Sequence, residues 1–131
     1  GMTETVWVHE DVVYAIHRRQ ISEHGGGDGI RDQGLLESAL HHPKDLYHYG
    51  DPAPDLPALA AAHAYGIAQN HPFVDGNKRT ALIVYRLFLQ LNGSDLIAPP
   101  EETYRTFMAL AAGELSEKEL AEWVRDHIAR N

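Results

Sequence analysis

A ten-residue segment near the middle of the sequence, residues 71–80, combines residue types suited to phosphate chemistry. The imidazole of His71 could take a proton from a hydroxyl group, and the carboxylate of Asp75 could hold a hard cation such as Mg²⁺ or cap a helix. Lys78 and Arg79 follow as adjacent cations. A base, a carboxylate and two cations this close together are the ingredients of phosphoryl-type transfer, in which catalysis is mostly positioning and charge neutralisation.

The local sequence also predicts how these groups are held. Pro72 predicts an extended backbone at His71, because proline disfavours the α conformation in the residue before it. We expect Asp75 to be the N-cap of the next helix and Gly76 to let the backbone approach a ligand closely. The first amides of that helix, including that of Asn77, then lie at the positive end of its dipole and predict a phosphate site.

Each residue of this segment also has a purely structural interpretation. Asp75 could be only a helix cap, His71 a satisfied loop histidine, and Lys78 and Arg79 solvated residues of a first turn. However, basic residues at a helix N-terminus oppose the helix dipole and cost stability. In a chain with a formal net charge of −8 they favour an anionic partner, so we interpret the whole segment as functional.

The spacing of apolar residues predicts one all-α domain of about six helices that positions this segment. Two helices flank it, and the second, apolar nearly all round, is expected at the centre of the bundle. The last helix is expected to contribute Leu120, Trp123, Val124 and Ile128 to the core. The predicted helices cover about residues 9–22, 31–40, 55–70 with Asp55 as N-cap, 76–91, a segment after Pro99-Pro100, and one opened by a capping box at Ser116–Glu119.

The segments between the helices carry further candidates. Residues 44–50 predict a loop or short hairpin that could align an extended target segment by strand addition, or be an ordinary surface loop. The glycines at 25–29 match neither common phosphate-binding glycine pattern and predict a loop that ends the first helix. Arg18 and Arg19 are interpreted as solvated, with contact to a nucleotide from the first helix as the alternative. His41, His42 and His48 are interpreted as surface histidines rather than a metal site, since adjacent histidines point about 100° apart on a helix, and His63 is expected to pack within the third helix.

The composition of the chain excludes several classes of protein. The chain has 131 residues, 44% of them hydrophobic, and no cysteine, which excludes a disulfide framework and a Cys-based zinc site and favours the cytoplasm. Its charge of −8 disfavours direct nucleic-acid binding, and its longest apolar stretch, residues 81–91, is far shorter than the ~20 residues of a membrane span. We expect a single soluble domain over residues 2–131, with Gly1 interpreted as a cloning remnant.

The 71–80 segment resembles the signature of the Fic/Doc family, His-x-Phe-x-Asp/Glu-Gly/Ala-Asn-Gly/Lys-Arg. Residues 29–40 also resemble the opening of the Doc (death-on-curing) toxins, so the resemblance covers nearly the full chain. It implies the Fic fold, a helical bundle around a buried central helix. The signature is matched at His71, Phe73, Asp75, Gly76, Asn77, Lys78 and Arg79.

Two positions depart from the pattern of the family's nucleotidyl-transferring members, which continues Gly-Asn-Gly-Arg-x-x-Arg. Lys78 replaces the second glycine, and Leu82 stands where the final arginine would be. A lysine intrudes where the backbone would wrap the phosphates, and the missing arginine removes a bidentate phosphate ligand. The resemblance therefore favours the Doc branch and implies transfer of the γ-phosphate of ATP to a threonine hydroxyl of elongation factor Tu, which arrests translation.

The resemblance also implies a role for each matched residue. His71 would be the general base, and Asp75 would hold Mg²⁺ and orient the acceptor. Gly76 and Asn77 would cradle phosphate, while Lys78 and Arg79 would bind the nucleotide and neutralise the group in transfer.

Restraint of such an activity is expected from another protein. Many Fic proteins carry an inhibitory Ser/Thr-x-x-x-Glu-Gly/Asn helix, whereas no glutamate here precedes glycine or asparagine. The resemblance implies a Phd-type antitoxin as partner. Three other functions stay open: a Fic-type AMP transferase, an inactive Fic-fold binding module, and a metal-dependent phosphohydrolase, for which one histidine and one aspartate offer few ligands.

Overall fold

The computed structural model describes residues 4–130, which form six helices and one two-stranded sheet, so the prediction of an all-α class with about six helices is confirmed. Gly1 and Met2, and with them the interpretation of Gly1, lie outside the described residues. No helix within the described range is long and apolar enough to span a bilayer. The elements are α1 (Glu10–His24), α2 (Gln33–Tyr49), α3 (Leu56–Asn70), α4 (Asn77–Leu91), β1 (Ser94–Leu96), α5 (Pro100–Ala111), α6 (Glu117–Asp126) and β2 (Ile128–Arg130).

Helix α3, rather than α4, is the most buried helix, which corrects the expectation for the apolar 76–91 segment. It packs against α2, α4, α5 and α6, whereas α4 keeps an exposed side that includes Arg86. The physical reason is side-chain size, because the alanines of α3 let several helices approach closely. At Gly66 a Cβ would lie 3.0 Å from Cα of Ala39 on α2. The fully buried residues of α3 include Ala60, Ala61, Ala62, Ala64, Ile67 and Ala68.

Helix α2 continues to Tyr49, so the predicted loop or hairpin over residues 44–50 is wrong, and a helical segment cannot align a target by strand addition. The helix passes through Pro43, a buried residue that cannot donate a backbone hydrogen bond. Other contacts compensate for this missing hydrogen bond. Leu46 in the next turn packs against the core, and His42 Nε2 lies 2.6 Å from Glu117 Oε1 of α6. Helix α2 is therefore held by contacts on both sides of the proline.

The small sheet joins the end of the chain to the segment after α4. Strand β1 pairs antiparallel with β2, with Leu96 opposite Ile128. Ile128 therefore packs against the core from a strand, not from the last helix as predicted. The predicted helix starts at Asp55 and Ser116 are confirmed: Asp55 accepts a hydrogen bond from the amide of Ala58, and Ser116 and Glu119 form the capping box.

His63 is a buried histidine in the centre of α3. Its side chain is only 3% exposed, its Nδ1 donates to the Leu59 carbonyl at 2.7 Å, and its ring packs 4.3 Å from that of Phe88. Burial disfavours the charged imidazolium and lowers the pKa of His63 from 6.5 to about 4. The fold therefore contains a neutral imidazole that has to gain a proton when the chain unfolds in mild acid.

We predict that this residue makes the fold sensitive to mild acid. As the pH falls from 6.5 to 4, the unfolded chain binds a proton at position 63 before the folded chain does, so the free energy of unfolding falls by about 3 kcal/mol. Urea unfolding at several pH values measures this fall, and His63→Gln should reduce it. An equal fall in that variant would show that other groups cause the acid sensitivity.

Candidate active site

The residues predicted to be functional meet at one cavity of about 400 Å³ at the N-terminus of α4. A larger cavity of about 550 Å³ lies between the α2–α3 connection and α6 and contains none of these residues. The first cavity also takes two side chains from α5. Its lining consists of His71, Val74, Asp75, Gly76, Asn77, Lys78, Arg79, Tyr104 and Met108.

His71 ends α3 in a left-handed conformation, with φ 48° and ψ 56°, so the expectation of an extended backbone is wrong. The helix terminus explains the difference, because its last carbonyls need donors. The side chain of Arg31 supplies them: Nε donates to the His71 carbonyl at 2.7 Å and Nη2 to that of Asn70 at 2.8 Å. The imidazole is left exposed, and neither ring nitrogen has a hydrogen-bond partner within residues 4–130.

The loop after His71 is paired with residues 29–32, which precede α2. The Pro72 carbonyl accepts from the amides of Arg31 and Asp32 at 2.7 and 3.1 Å, and the Val74 amide donates to the Gly29 carbonyl at 3.1 Å. Phe73, only 1% exposed, anchors the loop in the core. The loop is therefore fixed by backbone hydrogen bonds on one side and by a buried ring on the other.

Asn77 holds the same loop from the first turn of α4. Its side chain accepts from the Phe73 amide and donates to the Phe73 carbonyl, both at 3.0 Å, and it is buried. Both ends of this amide side chain are thus engaged by protein. Asn77 can contribute its backbone amide, but not its side chain, to a phosphate site.

Gly76 is the N-cap of α4, at φ 76°, and Asp75 precedes it, which corrects the expectation that Asp75 is the cap. Asp75 Oδ1 accepts from the Gly76 amide at 2.8 Å, and the carboxylate is exposed. The first intrahelical bond runs from the Thr80 amide to the Gly76 carbonyl. Because no helix cap occupies the amides before Thr80, the exposed start of α4 can bind an anion beside a carboxylate.

The two cations at the start of α4 are both exposed, and neither forms an ion pair with any carboxylate in the described part of the chain. Lys78 Nζ lies 3.6 Å from Met108 Sδ on α5. Tyr104, one helical turn before Met108, is 63% exposed. The contribution of α5 to the site was missed from the sequence, although large apolar side chains on an exposed helix face are a signal for it.

His17 of α1 is a second residue that sequence reasoning missed. It is 2% exposed, its ring stacks on Phe73 with centroids 3.9 Å apart, and its Nε2 donates to the Asp75 carbonyl at 2.8 Å. Its position one turn after buried Val13 places it on the inner face of α1, and a polar ring on an inner face was the available signal.

Other charged or polar candidates lie away from the cavity. Arg18 and Arg19 are exposed, as predicted, and Arg19 pairs with Glu23 at 2.8 Å. Across residues 4–130 no three His, Asp or Glu side chains are arranged to hold a metal ion by themselves. A site for Mg²⁺ would therefore depend on Asp75 together with phosphate oxygens and water, which is the usual manner in which Mg²⁺ binds in nucleotide-dependent enzymes.

Comparison with known proteins gives the family of the chain. Residues 7–89 match the Fic/DOC family. The chain is 33% identical to a protein named "Protein kinase doc" from Escherichia phage P1 over 118 residues, which is 90% of this chain and 92% of that protein. It is 43% identical to a "Toxin Doc" from Mycolicibacterium smegmatis over 74 residues, which is 56% of this chain and 57% of that protein. The chain belongs to the Fic/DOC family.

Proposed function

We propose that this protein is the toxin of a type II toxin–antitoxin pair and acts as a protein kinase. It transfers the γ-phosphate of ATP to a threonine hydroxyl of elongation factor Tu and so arrests translation. The observation that carries the proposal is the meeting of an exposed imidazole, an exposed carboxylate and a cationic helix N-terminus in one cavity. The names of the two relatives, a protein kinase and a toxin, support the same conclusion.

The residues present fit ATP and Mg²⁺. The cavity of about 400 Å³ is large enough for part of a nucleotide, and the uncapped start of α4 suits phosphate. When bound, ATP supplies the phosphoryl group and Mg²⁺ neutralises charge on its phosphates. Asp75 would hold the cation through its exposed carboxylate. The phosphates would lie against the backbone of Gly76 and Asn77 and the side chains of Lys78 and Arg79.

In the proposed reaction His71 acts as the general base. Its ring is exposed and free of hydrogen bonds to the described protein, so it can accept the proton of the acceptor hydroxyl as the oxygen attacks phosphorus. The bond from that phosphorus to the leaving ADP oxygen breaks. Lys78 and Arg79 stabilise the charge that spreads over the phosphoryl oxygens during transfer.

Two side chains, Lys78 and Leu82, favour one orientation of the bound nucleotide. Lys78 extends toward Met108 across the space beside the start of α4, where the nucleotidyl-transferring pattern has a glycine. Leu82, in place of the arginine of that pattern, lies with Tyr104 and Phe107 in a separate apolar pocket of about 30 Å³ that shares Lys78 and Arg79 with the cavity. An apolar wall offers no bidentate phosphate ligand, which favours γ-phosphate transfer over AMP transfer.

The proposal predicts which phosphate of ATP reaches the protein substrate. Purified elongation factor Tu is incubated with this protein, Mg²⁺ and ATP labelled either at the α or at the γ phosphate. We expect label from the γ position only, and none with a His71→Ala variant. Label from the α position would instead support the AMP-transferase alternative, and no label from either position would support a binding module or a different target.

The partner and location follow from the same proposal. We infer that a Phd-type antitoxin restrains the enzyme, since one relative is named a toxin and the sequence has no inhibitory Glu-Gly or Glu-Asn motif of its own. We place the protein in the cytoplasm because elongation factor Tu acts there. A chain without cysteines also needs no oxidising compartment to form disulfides.

A further inference from the structure

We propose that His17 of α1 and Gly26, within the glycine segment of residues 25–29, are positioning residues that set the place of the Asp75 carboxylate. The proposal rests on the proposed function in one respect, which is that Asp75 holds Mg²⁺. Neither residue belongs to the 71–80 segment, and neither was identified from the sequence as part of the site. His17 contacts the backbone of Asp75, and Gly26 contacts its carboxylate.

The first contact fixes the backbone of Asp75. Its carbonyl oxygen can only accept a hydrogen bond, so the 2.8 Å contact identifies His17 Nε2 as the donor. The same ring stacks on Phe73 with its plane only 9° from parallel. His17 therefore contacts the loop on either side of Val74 while almost completely buried, and it limits rotation of the peptide that carries Asp75.

The second contact is with the carboxylate itself. A Cβ built on Gly26 would overlap Asp75 Oδ2 and lie 3.0 Å from Asp75 Cγ. The backbone of Gly26 thus packs directly on the carboxylate, on the oxygen opposite the one that accepts from Gly76. A side chain at position 26 cannot be placed without moving the carboxylate or the loop.

The contact is specific to one glycine of the segment. Gly25, Gly26 and Gly29 all have positive φ, of 78°, 112° and 101°, so each is a poor position for alanine on conformational grounds. A Cβ at Gly25 or Gly29 would nevertheless meet no atom within 4 Å. Substitution of Gly25 or Gly29 therefore introduces only the strain of a left-handed backbone. Substitution of Gly26 introduces the same strain and, in addition, contact with Asp75.

Movement of the Asp75 carboxylate would weaken Mg²⁺ binding, because Mg²⁺ demands near-ideal octahedral geometry and tolerates little displacement of a ligand. Residues that orient a metal ligand typically change metal affinity or activity by about 10–100-fold when replaced. We therefore expect Gly26→Ala to raise the Mg²⁺ concentration needed for half-maximal transfer by about tenfold or more. Gly25→Ala should leave that concentration close to the wild-type value.

The experiment uses two readouts on the full chain. The first is the Mg²⁺ dependence of transfer at saturating ATP, measured for the wild type, Gly25→Ala and Gly26→Ala. The second is the ¹³C chemical shift of the Asp75 carboxyl group in the metal-free protein, which reports its surroundings without any activity. We expect both to change in Gly26→Ala and neither to change in Gly25→Ala.

A further variant decides the question if Gly26→Ala does not fold. His17→Phe keeps an aromatic ring to stack on Phe73 but removes the hydrogen bond to the Asp75 carbonyl, and it should shift the Asp75 signal and the Mg²⁺ requirement in the same way. Equal effects of Gly25→Ala and Gly26→Ala, or an unchanged Asp75 signal in His17→Phe, would overturn the proposal. If the wild type transfers no phosphate, the proposed function fails, and the carboxyl signal still decides whether these residues position Asp75.

Discussion

Replacing His71 with alanine is expected to lower phosphoryl transfer to elongation factor Tu by about 10²–10⁴-fold, the usual contribution of a general base. The free energy of unfolding should change by less than about 1 kcal/mol, because the ring is exposed and makes no hydrogen bond within the described range. Initial rates of γ-phosphate transfer at saturating ATP, together with urea unfolding of the same preparations, measure both quantities.

Two further variants make this result interpretable. His71→Asn has no basic group but tolerates the left-handed backbone at φ 48°, so it should be as inactive as the alanine variant and at least as stable. His41→Ala removes another exposed histidine, on α2 and outside the cavity at α4, and should leave the rate unchanged. Transfer by His71→Ala within tenfold of the wild-type rate would contradict the assignment of the base.

Replacing Asp75 with asparagine is the second change for which we expect a large effect. Asparagine keeps the size of the side chain and an oxygen that can accept from the Gly76 amide, but it removes the negative charge that would hold Mg²⁺. We expect transfer to fall by about 10²–10³-fold, in line with the loss of one strong electrostatic contribution in a reaction that depends on charge neutralisation. A Mg²⁺ titration of the initial rate measures it.

The control for this variant is Asp126→Asn, which removes an exposed carboxylate at the end of α6. It should leave both the rate and the Mg²⁺ titration unchanged. Because Asp75 is not the N-cap of α4, Asp75→Asn should also leave the stability of the protein unchanged within about 0.5 kcal/mol. An unaltered Mg²⁺ titration combined with lower stability would show that the carboxylate serves the fold instead.

The fold was predictable where local signals and packing agree. The caps at Asp55 and Ser116 marked helix starts correctly, because a side chain that accepts from the first-turn amides acts within its own helix. The signal failed after Leu40, where the helix was expected to end, because α2 instead continues through Pro43. Contacts of α2 with α3 and α6 hold the helix through that residue, and such contacts between distant segments have no local signature.

The sequence identified residues that the structure brings to one cavity, but it did not identify the groups that hold them there. His71, Asp75, Lys78 and Arg79 were identified from residue type and spacing, and the structure places all four at one cavity. The groups that hold them, such as Arg31 on the end of α3, come from other parts of the chain. Hydrogen bonds from a distant segment cannot be read from a motif, which is also why the left-handed backbone of His71 was not foreseen.

The contacts of His17 and Arg31 with the loop after α3 bear on the stage of folding at which the site forms. His17 and Asp75 are 58 residues apart in sequence, and Arg31 and His71 are 40 apart. Contacts this distant form only after the entropy of closing a long chain segment has been overcome. A nascent chain can form isolated helices, but it cannot assemble the loop until α1 and the segment before α2 have docked on it. Each copy would therefore complete the candidate site only as it finishes folding.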